Sequence, residues 1–344
     1  MDLVTVWFVV IAFFWIGYFI LDGFDLGVGT LLPLIGRNEV DRRVLINAIG
    51  PVWDGNEVWL VVAGAATFAA FPLWYATMFS GFYLLFFAIL IALIFRGLAF
   101  EYRGKHDYAS WRRRWDAAIV VGSAVPAFLF GVIFGNVVGG SALESISGDA
   151  SNTDSINYVG NVFGLLNPFS LVLGAMTLTV FATHGAMFLA LKTSGSVHAV
   201  ARRTATQIGL VAAVFAVVAL LWAQTFSGRV AITLPLVLLA AVFWLAGLAM
   251  NVRDRNGWAF LLSAVTILFA VAALFLGLYP NVMPSSIDSA FNLTVTNASS
   301  QSYTLTVMTI VAVVMTPLVL LYQGWTYWVF RKRLTSAMIP VGTL

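Results

Sequence analysis

The chain has 344 residues, of which 61% are hydrophobic and only 10% are charged. A soluble domain carries about 25% charged residues, so the composition excludes a soluble protein and predicts a polytopic membrane protein. The net charge of +3 gives no indication of nucleic-acid binding, because the basic residues are dispersed among loops. The absence of cysteine excludes disulfides, thiolate metal sites and covalent haem attachment through a Cys-x-x-Cys-His motif.

Apolar runs of about 20 residues predict an all-α protein with about nine transmembrane helices, in a single domain over 1–344. The first run is too long for the core of a signal peptide and has no A-x-A cleavage site, so it is predicted to be a retained span. The segment FPLWY over 71–75 is predicted to be an interfacial turn between the second and third spans. The predicted spans lie at roughly 5–34, 53–71, 78–100, 117–138, 162–191, 205–226, 231–250, 258–279 and 304–330.

The basic residues predict the orientation of the chain in the membrane. All but two of the 18 Lys and Arg residues lie in loops on one side of the predicted spans or in the C-terminal tail. The exceptions are Arg229, on the opposite side, and Arg96, inside the third span. Because short cytoplasmic loops are enriched in Lys and Arg, the N-terminus is predicted outside and the C-terminus in the cytoplasm.

Two acidic motifs interrupt the apolar sequence. Asp22 and Asp25 lie in DGFDLG, and Asp54 and Glu57 lie in WDGNEVW. A carboxylate at bilayer depth costs roughly 2.5–3.5 kcal/mol on insertion scales and usually has a function. The i, i+3 spacing places each pair on one helix face, about 5–6 Å apart at Cβ. The motifs therefore predict a polar interior that handles protons or cations.

Structural explanations of the same residues remain open at this point. Asp54 and Glu57 suit the first turn of a helix, where the helix dipole favours acids, and Glu57 fits this explanation best. Asp22 and Asp25 suit an ion pair with Arg96 or with a partner chain. Arg96 lies about one turn from the cytoplasmic end of its span, so it either extends its guanidinium to the interface or joins the acids in a polar network.

The only histidine predicted inside the membrane is His184, in the fifth span. It is a candidate haem ligand, with Met176 or Met187 as the second axial group, although a lone helical His is more often hydrogen-bonded to a neighbour. The residues leave two functions open, a proton-coupled secondary transporter and a cofactor-poor subunit of a larger membrane enzyme. Transporters often contain internal repeats, and the absence of a second copy of either acidic motif weakens the first.

Nearly the whole chain resembles subunit II of the cytochrome bd-type quinol oxidases. The resemblance begins with the run from DGFDLG to GFYLLF, over 22–86, which contains the specific motif WDGNEVW. It continues in FRGLAFEYR over 95–103, THGAMFLALKT over 183–193, YPNVMPSS over 279–286, and the last span with its basic end over 302–333.

This resemblance implies a heterodimer with a homologous nine-span subunit I in the bacterial plasma membrane, often joined by a small single-span accessory chain. The complex is expected to oxidise quinol, reduce dioxygen to water and take the chemical protons from the cytoplasm. Haem b, haem d and the quinol-oxidising loop are expected in subunit I, so no catalytic residue, cofactor or metal is assigned to this chain. Some members hold a structural quinone in subunit II, and the resemblance leaves that open here.

The resemblance also assigns roles to the polar residues. Asp54 matches the aspartate that the family places in a cytoplasmic proton pathway at the contact with subunit I. Asp25 and Arg96 match polar positions of the same network, and Asp22 matches the first acid of its motif. Glu57 is placed with them, although it departs from members that have Gln at this position, which argues against an essential role. An Asp25–Arg96 ion pair is the expected structural contact.

Overall fold

The computed structural model describes residues 2–149 and 152–338, and most of these are helical. The helices are α1 Leu3–Thr30, α2 Leu32–Ile35, α3 Glu39–Ile49, α4 Trp53–Ala70, α5 Pro72–Gly81, α6 Tyr83–Tyr102, α7 Ala109–Gly139, α8 Pro168–Lys192, α9 Ser196–Gln224, α10 Val230–Val252, α11 Asn256–Leu278 and α12 Ser302–Val329. The strands are β1 Leu143–Ser145, β2 Ile156–Tyr158, β3 Asn281–Met283 and β4 Leu293–Thr294. They form two small antiparallel hairpins, β1–β2 and β3–β4.

Within the described part of the chain, 8 helices are long and apolar enough to cross a membrane, namely α1 and α6 to α12. The second predicted span is occupied by α4, which has 18 residues and begins with the polar sequence WDGNE. Because of this polar start, α4 contains no 18-residue stretch as apolar as those of the 8 other helices. The helices confirm the predicted class, an all-α polytopic membrane protein.

The predicted turn at 71–75 is wrong. Phe71 alone separates α4 from α5, and Pro72 is the first residue of α5, where its missing N–H is tolerated. The helix then continues to Gly81 and buries Trp74 on its inner side. Two aromatic residues that were assigned to the membrane interface, Phe71 and Trp74, lie in the protein core instead.

Helix α1 lies at the centre of the bundle and packs against α4, α7, α8 and α11. Its contact with α8 is made by small residues, because a Cβ atom at Gly27 would overlap the carbonyl oxygen of Phe181. On the α8 side, a Cβ atom at Gly185 would lie 2.6 Å from the backbone nitrogen of Val28. Such close backbone approach is typical of membrane helices. It fixes the rotation of α1 about its axis and directs its acids away from α8, toward α4 and α6.

The two ends of the bundle differ in structure. The hairpin face contains both β-hairpins, which are joined where Ser141 pairs with Ser285. The basic face contains α3 and the basic loops, and Thr193 pairs there with Leu334, just after α12. α1 runs from the hairpin face, where Thr5 contacts Tyr279, to the basic face.

The last span, α12, lies at the edge of the bundle. Only 6% of the residues in its most apolar 18-residue stretch are buried within the chain, the smallest share among the 8 spans. Its start is attached to the end of α4, because the Ser300 backbone N–H donates to the carbonyl oxygen of Ala70. Most of the α12 surface therefore faces lipid or another protein.

Candidate functional site: a buried network around Arg96

The centre of the site is Arg96, on α6. Its side chain is 0% exposed, so it does not reach the membrane interface. One terminal nitrogen donates to Asp22 Oδ1 at 3.1 Å, and the other donates to Glu57 Oε2 at 3.2 Å. The guanidinium also lies 5.5 Å from the ring centroid of Phe100 and 5.9 Å from that of Trp53, at distances where cation–π attraction operates. Of the two explanations left open for Arg96, the structure supports the polar network.

Asp25 does not pair with Arg96, and this corrects the ion pair expected from the sequence. Its Oδ2 atom accepts a hydrogen bond of 2.6 Å from Asn56 Nδ2 on α4. Residues three positions apart on a helix differ in direction by about 60°. That difference is enough to direct Asp22 toward α6 and Asp25 toward α4.

Asn56 connects Asp25 to the peripheral helix α12. Its Oδ1 atom accepts from Gln323 Nε2 and from the Tyr327 hydroxyl, both at 2.8 Å. Gln323 in turn accepts from the indole N–H of Trp59 at 2.7 Å. This amide-centred connection joins α1, α4 and α12 within the membrane.

Asp54 lies outside this network. It is exposed on the first turn of α4 and makes no hydrogen bond or ion pair with the described residues. Glu57, one turn further along the same helix, joins the two regions, because its side chain contacts Arg96 while remaining 24% exposed. The sequence favoured a structural role for Glu57, whereas the structure places Glu57 between the exposed Asp54 and the buried Arg96.

His184 is fully buried, and both of its ring nitrogens are engaged within the chain. Nδ1 lies 2.7 Å from Ser263 Oγ, and Nε2 lies 3.1 Å from the carbonyl oxygen of Ile20. The ring stacks on Phe260 with centroids 4.5 Å apart. Ligation of haem iron would break one of these hydrogen bonds, so the side chain fits the ordinary role of a histidine that joins neighbouring helices.

A second ionic cluster lies on the basic face and was not predicted. Arg103 donates to both carboxylate oxygens of Glu39 at 2.8 Å, and its Nε donates to Asp116 at 2.5 Å. Asp116 also accepts from Arg42 at 2.9 Å. Burial raises the pKa of Glu39, but the hydrogen bonds and positive charge of Arg103 outweigh this effect and lower the pKa below its usual value. The cluster attaches α3 to the start of α7.

A cavity of about 280 Å³ lies between α1 and α7 to α11. Its walls are almost wholly apolar and include the rings of Phe19, Phe134, Phe181, Trp244 and Phe275. Apolar pockets that lack polar anchors select occupants by shape and hydrophobicity. The cavity is therefore suited to a hydrocarbon chain.

Comparison with known proteins decides which family these features belong to. The sequence model of the family described as cytochrome bd terminal oxidase subunit II matches residues 3–330. The chain belongs to this family. Its membership does not favour the transporter alternative.

Two relatives show how far the similarity to other subunit II proteins extends. The chain is 42% identical to the cytochrome bd ubiquinol oxidase subunit 2 of Bacillus subtilis over 334 residues, which is 96% of each protein. It is 36% identical to the cytochrome bd-I ubiquinol oxidase subunit 2 of Escherichia coli over 371 residues, covering 98% of this chain and 97% of that protein. A chain in the structure of bd oxidase from Geobacillus thermodenitrificans shares the fold, with a TM-score of 0.74 at 18% identity, covering 96% of this chain and 100% of that one.

Proposed function

We propose that this chain is subunit II of a cytochrome bd-type terminal oxidase in a bacterial plasma membrane, which with subunit I oxidises quinol and reduces dioxygen to water. The observation that carries the proposal is the full-length similarity to subunits that are named as parts of ubiquinol oxidases. A small single-span accessory chain is a further proposed partner.

Haem b and haem d are assigned to subunit I in this proposal. The engaged ring nitrogens of His184 support that assignment. The haems supply the chemistry of oxygen reduction when bound in the partner, while this chain supports assembly and supplies protons.

The proposed orientation places the basic face in the cytoplasm and the hairpin face outside. α3, the start of α7 and the segment after α12 meet on the basic face, and their Arg and Lys residues are collected there. Cytoplasmic loops carry such an excess of positive charge.

The proposed proton path runs from Asp54 through Glu57 to the buried acids. Asp54 is exposed, Glu57 is partly exposed, and Asp22 and Asp25 are fully buried, so the four carboxylates form a series of increasing depth. Arg96 alone neutralises only one of the three carboxylates beside it. Because a low-dielectric site opposes surplus like charge, the remaining acids are suited to take up and release protons.

The exposed face of α4 is proposed to contact subunit I. Next to Asp54, this face presents Val58 and Val61, which are 51% and 67% exposed. A carboxylate beside exposed aliphatic residues is costly against lipid, whereas a partner subunit can supply it with polar contacts. Asp54 would then receive or deliver protons at the boundary between the two chains.

A quinone held as a structural component is proposed for the cavity between α1 and α7 to α11. The apolar aromatic walls suit its isoprenoid tail. Solvent extraction of the purified complex should release quinone, and Ala240→Phe, which fills the cavity, should lower the amount recovered. Equal recovery from the variant would contradict this location.

The first test is purification of the tagged chain from its native membrane. A second large hydrophobic subunit, together with b-type and chlorin-type haem bands in a reduced-minus-oxidised spectrum, is the expected result. A colourless chain that purifies alone would overturn the proposal.

The proton path is tested by Asp54→Asn. The amide keeps the shape of the side chain but cannot relay protons, so the complex should assemble with normal haem content and consume oxygen more slowly. Glu144→Gln, on the hairpin face, is the matched control and should keep the normal rate. Full turnover by an assembled Asp54→Asn complex would remove Asp54 from the path.

A further inference from the structure

Four buried polar atoms of the Arg96 network have no hydrogen-bond partner among the described residues. They are the Tyr18 hydroxyl, Asp22 Oδ2, Asp25 Oδ1 and Arg96 Nε. All four side chains belong to residues that are 0% exposed. Buried polar groups are almost always hydrogen-bonded, and those that lack a protein partner usually bond to internal water.

Tyr18 was not recognised as a member of the site from the sequence. It lies one turn before Asp22 on α1, so the two side chains project from the same side of the helix. Its hydroxyl is close enough to interact electrostatically with Asp22, Arg96 and Glu57. The hydroxyl comes closest to the Asp22 carboxylate, which it approaches without the distance and angle of a full hydrogen bond.

The three unpartnered atoms of Tyr18, Asp22 and Arg96 are chemically complementary to water. A phenol both donates and accepts, a carboxylate oxygen accepts, and the guanidinium Nε–H donates. A buried water molecule typically makes about three hydrogen bonds to such groups. We infer that Tyr18, Asp22 and Arg96 bind internal water, and that the Tyr18 hydroxyl forms the outer end of this hydrated site.

Aromatic rings close the site beyond Tyr18, toward the hairpin face. The Tyr18 ring packs edge-on against Phe130 with centroids 5.3 Å apart and against Trp15 at 6.1 Å. Trp15 in turn packs against Phe134 at 4.9 Å. The rings of Phe130 and Phe134 carry no polar atom that would extend a chain of water molecules, and the indole N–H of Trp15 is the single polar group of this layer.

This arrangement deepens the proposed function and rests on it in one respect. If protons enter from the basic face, water at Tyr18 is the last hydrogen-bonded position before the aromatic layer. The site then stores or orients protons next to the Arg96–Asp22 pair while the aromatic layer separates it from the hairpin face. Water binding itself requires only the observed side chains.

The test is a density map of the purified oxidase complex at a resolution that shows buried water, for the wild type, Tyr18→Phe and Tyr279→Phe. The control removes a phenol that contacts Thr5 on the hairpin face, far from Arg96. Water density within hydrogen-bonding distance of Tyr18, Asp22 and Arg96 is expected in the wild type and in the control. It should be lost or displaced in Tyr18→Phe.

Two results would overturn the inference. One is a wild-type map in which other buried waters are visible but Tyr18 bonds directly to Asp22 with no water at the site. The other is an unmoved water in Tyr18→Phe. If that variant does not assemble, the wild-type map decides alone. The density map does not depend on turnover, so the two proposals can fail separately. If Asp54→Asn is fully active and the water is nevertheless present at Tyr18, the proton path is contradicted and this inference stands.

Discussion

The two arginine-centred clusters of this protein are built on opposite principles. Arg103, on the basic face, uses its terminal nitrogens for the two oxygens of Glu39 and its Nε for Asp116. Arg96, inside the membrane, bonds to Asp22 and Glu57, but its Nε has no partner among the residues that the structure describes. Each guanidinium nitrogen of Arg103 therefore has a hydrogen-bond partner, whereas one nitrogen of Arg96 has none in the described structure.

The balance of charge differs in the same way. On the basic face, three arginines and three acids are paired, so charges of opposite sign are equal in number: Arg42, Arg103 and Arg112 with Glu39, Asp107 and Asp116. Within the membrane, Arg96 lies among Asp22, Asp25 and Glu57. A balanced and fully bonded cluster holds two segments together. A cluster with surplus acid and unpartnered atoms has capacity for protons and water.

The largest expected effect is that of Arg96→Met. The substitution removes the only cation beside Asp22 and Glu57 in the described structure. Loss of one partner of a buried ion pair lowers the stability of the folded protein by about 3–5 kcal/mol. The amount of assembled complex in the membrane should fall steeply, as measured by its haem spectrum and by blotting. Arg331→Met, on the exposed end after α12, is the control and should assemble normally.

Asp22→Ala and Asp25→Ala separate two contributions to that effect. Asp22→Ala should impair assembly more, because Asp22 and not Asp25 bonds to Arg96. Asp25→Ala releases only the amide of Asn56, so more complex should accumulate. Equal or reversed amounts on the same blot would show that the pairing in the complex differs from that described for this chain.

A smaller effect is expected from Arg103→Lys. The ammonium group keeps the charge but cannot bond to two carboxylates as a planar fork does. The cluster is partly exposed, so the loss should be roughly 1–2 kcal/mol. The expected result is a lower unfolding temperature of the purified complex with an unchanged haem spectrum. A wild-type unfolding temperature would show that the fork is not needed to hold α3.

The smallest effect concerns pH. Because Arg103 lowers the pKa of Glu39 below its usual value of 4.5, the contribution of Glu39 to stability is present above that value and is lost as the pH falls through the lower, folded-state value. Unfolding temperatures of the wild type should therefore drop more on acidification below about pH 4.5 than those of Glu39→Gln. Parallel curves for the two proteins would contradict the assignment.

The sequence predicted the class and the acidic motifs because these depend on local properties. Long apolar runs and their basic flanks are readable from composition, and a carboxylate inside such a run is conspicuous. The pairing of the acids was not readable, because it depends on how close contact at Gly27 and Gly185 sets the rotation of α1. The role of Asn56 was missed for a related reason, since its partners Gln323 and Tyr327 lie 267 and 271 residues away along the chain.

Tyr18 illustrates a further limit of the sequence. A tyrosine in an aromatic-rich span is ordinarily explained by packing or by the membrane interface. Its position one turn from Asp22 was visible, but only burial of its hydroxyl without a protein partner distinguishes it from the neighbouring rings. In a membrane span, a tyrosine one turn from a buried acid is therefore a candidate member of the polar site as well as a packing residue.

The attachment of α12 has a consequence for how the protein is made. This helix is synthesised after the others, and it supplies Gln323 and Tyr327 to Asn56. Until it enters the bilayer, the Oδ1 atom of Asn56 lacks both donors, and the indole of Trp59 lacks its acceptor. A ribosome that stalls before α12 therefore releases a product with unmet hydrogen-bonding groups at its centre. The last helix therefore completes the hydrogen bonding of the bundle interior, and the finished subunit differs from the unfinished one in the chemistry of its centre as well as in its length.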